Sequence, residues 1–283
     1  MKLTLLGTGS PEAHAPRASS GYLIEVGGDR ILFDCGGGVF DRLVQAGHMP
    51  ADLTHLIFSH LHSDHMMDYA RLLHARWDEG GADLDVFGPA PLTEITKRYF
   101  GRNGALAYDL TARTELPQSQ KVWEARGGTL PRPWPAPNVT EIAAGFEMAG
   151  DGWALRAIDV PHAQPFLTCL GFRIEAAGKS VVYAGDSGHS PELEALCQGA
   201  DVLIHWCYRL SHEPLPDPSF AATSTGHVET AAMAARAGVK HLILTHWRVQ
   251  HDNDETRARV REDVAQHFSG RFTIAADLME IAL

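Results

Sequence analysis

The chain has 283 residues, enough for one large α/β domain or two smaller ones at about 150 residues each. Apolar residues make up 45% and charged residues 21%, which excludes a disordered tail or a fibrous protein. A formal charge of -11, from 24 Lys plus Arg against 35 Asp plus Glu, disfavours nucleic acid as a partner, because such binders draw their affinity from neutralised phosphates.

The opening, Met1 to Gly9, has one basic residue and a short apolar run, so it reads as a first strand and not as a signal peptide. No stretch approaches the roughly 18 apolar residues that span a bilayer, so no membrane partner is expected. Cys35, Cys169, Cys197 and Cys207 lack any CxxC or framework spacing, which points to reduced thiols and a cytoplasmic location. Further strands are expected over 22–26, 31–34, 55–59, 84–87, 154–160, 171–175, 180–184, 201–205 and 241–245. Helical periodicity runs over 66–77, 228–237 and 254–268. Early hairpins followed by strand-helix alternation indicate mixed sheets covered by helices. Residues 101–138 read as an irregular insertion ending in alternating prolines, a lid or a subunit contact within a single domain spanning 1–283.

The chemistry concentrates in Ser59-His60-Leu61-His62-Ser63-Asp64-His65, between an apolar run and a helix. In an extended segment alternate side chains share a side, so His60 and His62 can approach one ion while Asp64 and His65, at the turn, face a second. Imidazole and carboxylate suit zinc, with manganese or ferrous iron as substitutes. Three later apolar runs each end in a ligand-type residue: His162, Asp186 and His246. Strand ends of this kind gather along one edge of an α/β layer, where ligands bind.

This pattern resembles the metallo-β-lactamase superfamily. The strings Leu6-Gly7-Thr8-Gly9 with Arg17, Phe33-Asp34-Cys35-Gly36, Tyr183-Ala184-Gly185-Asp186, Gly226-His227 and Leu244-Thr245-His246 narrow the resemblance to the ribonuclease Z and arylsulfatase-like branch. It implies a four-layer αββα sandwich with two metal ions. His60, His62 and His162 would hold one ion, Asp64, His65 and His246 the other, and Asp186 would bridge both. Close metal pairs share a water, lower its pKa from 15.7 to near 7, and clamp the attacking and leaving oxygens. The implied enzyme is a dinuclear zinc hydrolase using a metal-bridging hydroxide, with Asp64 and His227 as further catalytic groups and a homodimer as the form common in the branch.

Two departures bear on substrate. His162 and Asp186 are 24 positions apart, which leaves no room for the tRNA-binding arm that many bacterial members carry there. Trp206 stands directly after His205, where the branch commonly has a glutamate paired with the histidine matching His227. The rings of Phe166, Trp206, Tyr208 and Trp247 lie near ligand positions, and Arg248 offers a donor fork, so a small apolar or aromatic substrate is expected: an ester, lactone, phosphoester, sulfate ester or aryl halide. The alternatives are a phosphodiesterase of the ribonuclease Z type and an iron-dependent oxidase of the same fold.

Overall fold

The computed structural model describes residues 1–81 and 83–283. The first sheet is built from β1 (Lys2–Gly7), β2 (Gly21–Val26), β3 (Asp29–Phe33), β4 (His55–Ile57), β5 (Asp85–Gly88) and β6 (Asn138–Glu141). The second comprises β7 (Glu147–Gly150), β8 (Trp153–Asp159), β9 (Leu170–Ala176), β10 (Lys179–Tyr183), β11 (Val202–Trp206), β12 (His241–Thr245) and β13 (Arg271–Ile274), while β14 (Met279–Ala282) returns to the first. The strand orders are β14-β1-β2-β3-β4-β5-β6 and β13-β12-β11-β10-β9-β8-β7. The helices are α1 (Val39–Gln45), α2 (Ser63–Met66), α3 (Tyr69–Asp78), α4 (Leu92–Phe100), α5 (Ala107–Glu115), α6 (Pro117–Ala125), α7 (Pro191–Leu196), α8 (Phe220–Thr223), α9 (His227–Arg236) and α10 (Asp254–Ala265).

Successive strand residues face opposite sides of a sheet, and here both sides are covered. Leu3, Leu5, Ile24 and Phe33 meet Leu155, Phe172, Val181 and Ile243 between the sheets. Leu6, Leu23, Leu32 and Leu56 face α1, α3 and α4, whereas Val182, Leu203, Leu242 and Leu244 face α7, α9 and α10. This is the four-layer αββα sandwich that the family resemblance implies.

Strands β3 to β6 are parallel, as are β10 to β13, and β8 shares the direction of β10 because both lie antiparallel to β9. The C-terminal ends of β4, β8, β10 and β12 therefore open onto one edge. The loop after β1 crosses to the second sheet there, through a parallel bridge between Gly9 and Trp247. Glycine at position 36 is required where the loop after β3 meets α2, since a Cβ there would lie 2.1 Å from the Asp64 carbonyl oxygen.

The same edge is tied by ion pairs. Asp252 accepts from Arg17 Nε (2.7 Å) and His14 Nε2 (2.9 Å) and also pairs with Arg257, while Arg17 Nη1 donates to Thr8 Oγ1 and to the Ala275 carbonyl. The Arg17 hydrogen bonds hold the Asp252 carboxyl well below the usual range despite burial. A depressed carboxyl contributes stability that is complete above the unfolded value of about 3.9 and is lost as pH falls through the folded value. Asp252→Asn is thus expected to lower unfolding free energy by about 3 kcal/mol at pH 7, because it leaves Arg17 uncompensated. Denaturant titrations should show that difference shrinking below about pH 4.

The expected irregular stretch at 101–138 contains α5 and α6. Their apolar stripe is thin, only Leu110 and Thr114 of α5 and no residue of α6 being buried, so periodicity carried little signal. Charge and stacking anchor them instead. Arg113, Arg126 and Arg132 converge on Asp78, and Arg132 lies over the rings of Trp77 and Trp123. The single helix expected over 66–77 is two, broken after Met66.

Candidate metal centre

His60 and His62 follow β4, Asp64 and His65 sit on α2, and His162, Asp186 and His246 follow β8, β10 and β12. Their ligand-type atoms gather in two groups, His60 with His62 and His162, and Asp64 with His65, Asp186 and His246. Within each group these atoms lie within 4.8 Å of one another. The second group is buried throughout. Asp186 Oδ2 lies 3.1 Å from His246 Nε2, 3.5 Å from His65 Nε2 and 3.9 Å from His162 Nε2, so one carboxylate reaches both groups. His246 itself takes a left-handed conformation (φ 62°), a strained turn of the kind found at functional sites.

Hydrogen bonds set the tautomers. Asp34, fully buried, accepts from His65 Nδ1 (2.8 Å), Ser59 Oγ (2.8 Å) and Tyr183 Oη (2.6 Å) on Oδ2, and from the Ser59 amide (2.7 Å) on Oδ1. Because the Ser59 hydroxyl donates to Asp34, its oxygen accepts from His60 Nδ1 at 3.0 Å. Both rings therefore carry hydrogen on Nδ1 and present Nε2 lone pairs to the centre. The sequence marks Asp34 as part of a motif, but nothing in it assigns Ser59 or Tyr183 to this array.

These atoms fit cations. His65 Nε2 is buried with no hydrogen-bond partner, and it faces Asp64 Oδ2 at 3.6 Å and Asp186 Oδ2 at 3.5 Å. A lone pair aimed at carboxylate oxygens repels them unless a proton or a metal ion lies between. In the other group His62 Nδ1 is 2.9 Å from His60 Nε2 and 3.3 Å from His162 Nε2, three nitrogens that a single ion satisfies together. Electrostatics divides the same way. Burial pushes the His60, His62 and His162 imidazoles down. For His246 burial acts downward too, but Asp186 and Asp64 outweigh it and raise the ring to about 9. Burial opposes ionisation of Asp186, yet His246 and His65 hold its carboxyl well below the usual range.

Several expected substrate or catalytic residues are placed otherwise. Trp247 has 0% exposure and packs in the helix-side core, its Nε1 donating to the Leu244 carbonyl, because the chain alternates after His246. It is not a cleft residue, and Trp247→Ala should cost about 3–5 kcal/mol of stability in thermal unfolding. Arg248 is engaged with Glu12 (2.9 Å) and lies over Tyr208, so its fork is occupied. Trp206 is buried behind the ligands and does not line an open cleft. Phe166, by contrast, is 90% exposed, four positions after His162.

His227 is not brought to either ligand group. Its Nδ1 accepts from the Ser211 amide at 3.1 Å, which leaves the hydrogen on Nε2, 3.0 Å from Asp263 Oδ2. His212 completes a third cluster with this pair. With Nδ1 taken by an amide donor, His227 Nε2 serves as a donor to Asp263 and not as a metal ligand.

A family model described as a beta-lactamase superfamily domain matches residues 29–247. Ribonuclease Z of Mycobacterium bovis (strain BCG / Pasteur 1173P2) is 32% identical over 292 residues, covering 99% of this chain and 98% of that protein. The crystal structure of the metallo-beta-lactamase fold protein YhfI from Bacillus subtilis superposes with TM-score 0.75 at 23% identity, covering 99% of this chain and 98% of that one. Human tRNase Z, short form, superposes with TM-score 0.69 at 20% identity, covering 100% and 99%.

Proposed function

The chain belongs to the metallo-β-lactamase superfamily, in its ribonuclease Z branch, and from that membership we propose that it hydrolyses a phosphodiester bond with a pair of zinc ions. It is a metal-dependent hydrolase of that fold. The observation that carries the finer reading is the convergence of seven ligand-type side chains from four strand ends, with Asp186 within reach of both groups. His60, His62 and His162 would hold one ion and Asp64, His65 and His246 the other. The chemistry supplied there is water made acidic enough to furnish hydroxide at neutral pH.

This chain's own residues then have defined work. Asp34 and Ser59 keep the His60 and His65 lone pairs directed inward. Asp64, whose Oδ2 lies 3.0 Å from His246 Nε2, is the carboxylate that orients the attacking water. Phe166, exposed and four positions after His162 in the chain, offers a face to an aryl or nucleobase group of the substrate. His227 has no part in proton transfer to the substrate, because both of its nitrogens are engaged. The segment 101–138 is pinned to α3 and leaves Tyr108 and Val122 exposed, which supports a contact with a second copy over a lid. Four free, buried cysteines suit the cytoplasm. No helix among the described residues is long and apolar enough to cross a membrane.

Proteins named ribonuclease Z match over nearly the whole chain, which favours a phosphodiester despite the acidic balance. A second reading, a small aromatic ester, lactone or aryl halide, is favoured by Trp206 at the place of the usual relay carboxylate. Metal analysis combined with bis-aryl phosphodiester, lactone, carboxyl-ester, aryl-halide and tRNA-precursor substrates separates them. Zinc-restored cleavage of phosphodiesters is the expected result. Turnover confined to esters, lactones or aryl halides would transfer the assignment to the second reading, and bound iron with oxygen consumption would indicate an oxidase.

A further inference from the structure

We propose that Trp206 is a positioning residue that couples the two ion subsites, holding one imidazole of each group and the segment of the shared aspartate in a common register. This rests on the dinuclear reading above. The indole meets the ring of His162 at 5.0 Å between centroids and 81° between planes, and the ring of His246 at 5.6 Å and 79°. One of those imidazoles belongs to each ligand group. The indole Nε1 donates to the carbonyl of Ser187, the residue following Asp186, at 2.5 Å. A single side chain with 4% exposure thus touches or tethers three of the seven ligand positions, which come from three different strand ends.

The indole is itself braced. Tyr208 stacks on it at 5.6 Å and 22°, Arg248 lies 4.9 Å above the Tyr208 ring, and Glu12 pairs with Arg248 at 2.9 Å. The stack runs from the ligand imidazoles to the loop after β1. Edge-to-face contacts of this kind favour particular ring orientations, and ligand imidazoles must keep theirs for a shared carboxylate to reach both ions. A carboxylate at position 206 would supply a proton-carrying group; the indole supplies shape. Trp206 therefore acts through His162, His246 and Asp186 and makes no contact with a reacting atom.

The test uses full-length protein, stripped and titrated with zinc and with cobalt(II) against a chromophoric chelator, for wild type, Trp206→Ala and Trp206→Phe. Groups that hold metal ligands typically change affinity by about 10- to 100-fold when removed. Trp206→Ala is expected to weaken both ions in parallel by about that factor and to shift the cobalt absorption bands of both binding steps. Trp206→Phe keeps a ring between the imidazoles and loses the bond to Ser187, so both affinities should fall together by less. A folded Trp206→Ala with wild-type affinities and spectrum, or a loss confined to one ion, overturns the proposal. If Trp206→Ala does not fold, Trp206→Phe decides: parallel loss supports coupling, and a change at one ion or at neither overturns it. Wild type binding fewer than two ions would instead defeat the dinuclear reading itself.

Discussion

Asp186→Ala is expected to empty both ion subsites and to lower phosphodiester turnover by roughly a thousandfold or more. A bound ion contributes several kcal/mol of transition-state stabilisation, and each 1.36 kcal/mol is tenfold in rate. The argument is one of charge and reach. Asp186 and Asp64 are the two carboxylates among the seven ligand-type side chains, and only Asp186 stands within 4 Å of ring nitrogens from both groups. Without it, two dications would face five imidazoles and a single carboxylate, and the second group, buried throughout, would have Asp64 alone to balance its ion. Asp186→Asn keeps the shape but loses the charge, so it should retain more metal than alanine and less than wild type. Mass-spectrometric metal counts alongside turnover check this, and an alanine variant with two ions and undiminished rate would end the assignment.

The ligand set is legible in the sequence because of how this fold uses strands. β4, β10, β11 and β12 are buried on both faces, so they read as unbroken apolar runs, and the first polar residue past each run marks the sheet edge. Asp186 and His246 stand at such breaks, whereas His162 follows β8, which alternates buried and exposed residues. What failed to read were elements without an apolar run: β6 and β7 are exposed edge strands, and α6 buries nothing. Sequence proximity also misled. Trp247 adjoins His246 yet faces the opposite side of the sheet. His227 pairs with Asp263, 36 positions away on α10, a contact that no local spacing rule anticipates. Arg248 looked free only because its partner, Glu12, lies in the loop after β1, joined by the crossing at Gly9.

The centre depends as much on Asp34, which touches no ion position, as on several of its ligands. Asp34→Asn is nearly isosteric, but it replaces one acceptor oxygen with an NH2 group among four donors: the Ser59 amide, the Ser59 hydroxyl, the Tyr183 hydroxyl and His65 Nδ1. If the amide nitrogen takes the Oδ2 place, His65 must move its hydrogen from Nδ1 to Nε2 to avoid two facing donors. That blocks the nitrogen directed at Asp64 and Asp186. The Ser59 hydroxyl loses its acceptor at the same time and can turn toward His60 Nδ1, which drives hydrogen to His60 Nε2 and disturbs the other group. One substitution thus imposes the wrong tautomer on a ring in each subsite. Changes of this kind typically lower metal affinity by about 10- to 100-fold, and Asp34→Asn is expected to do so at both ions while the protein stays folded. Zinc titration with nitrogen-resolved NMR of the imidazoles gives the check. Unaltered affinity together with hydrogen still on His65 Nδ1 would show that the carboxylate does not set the tautomer.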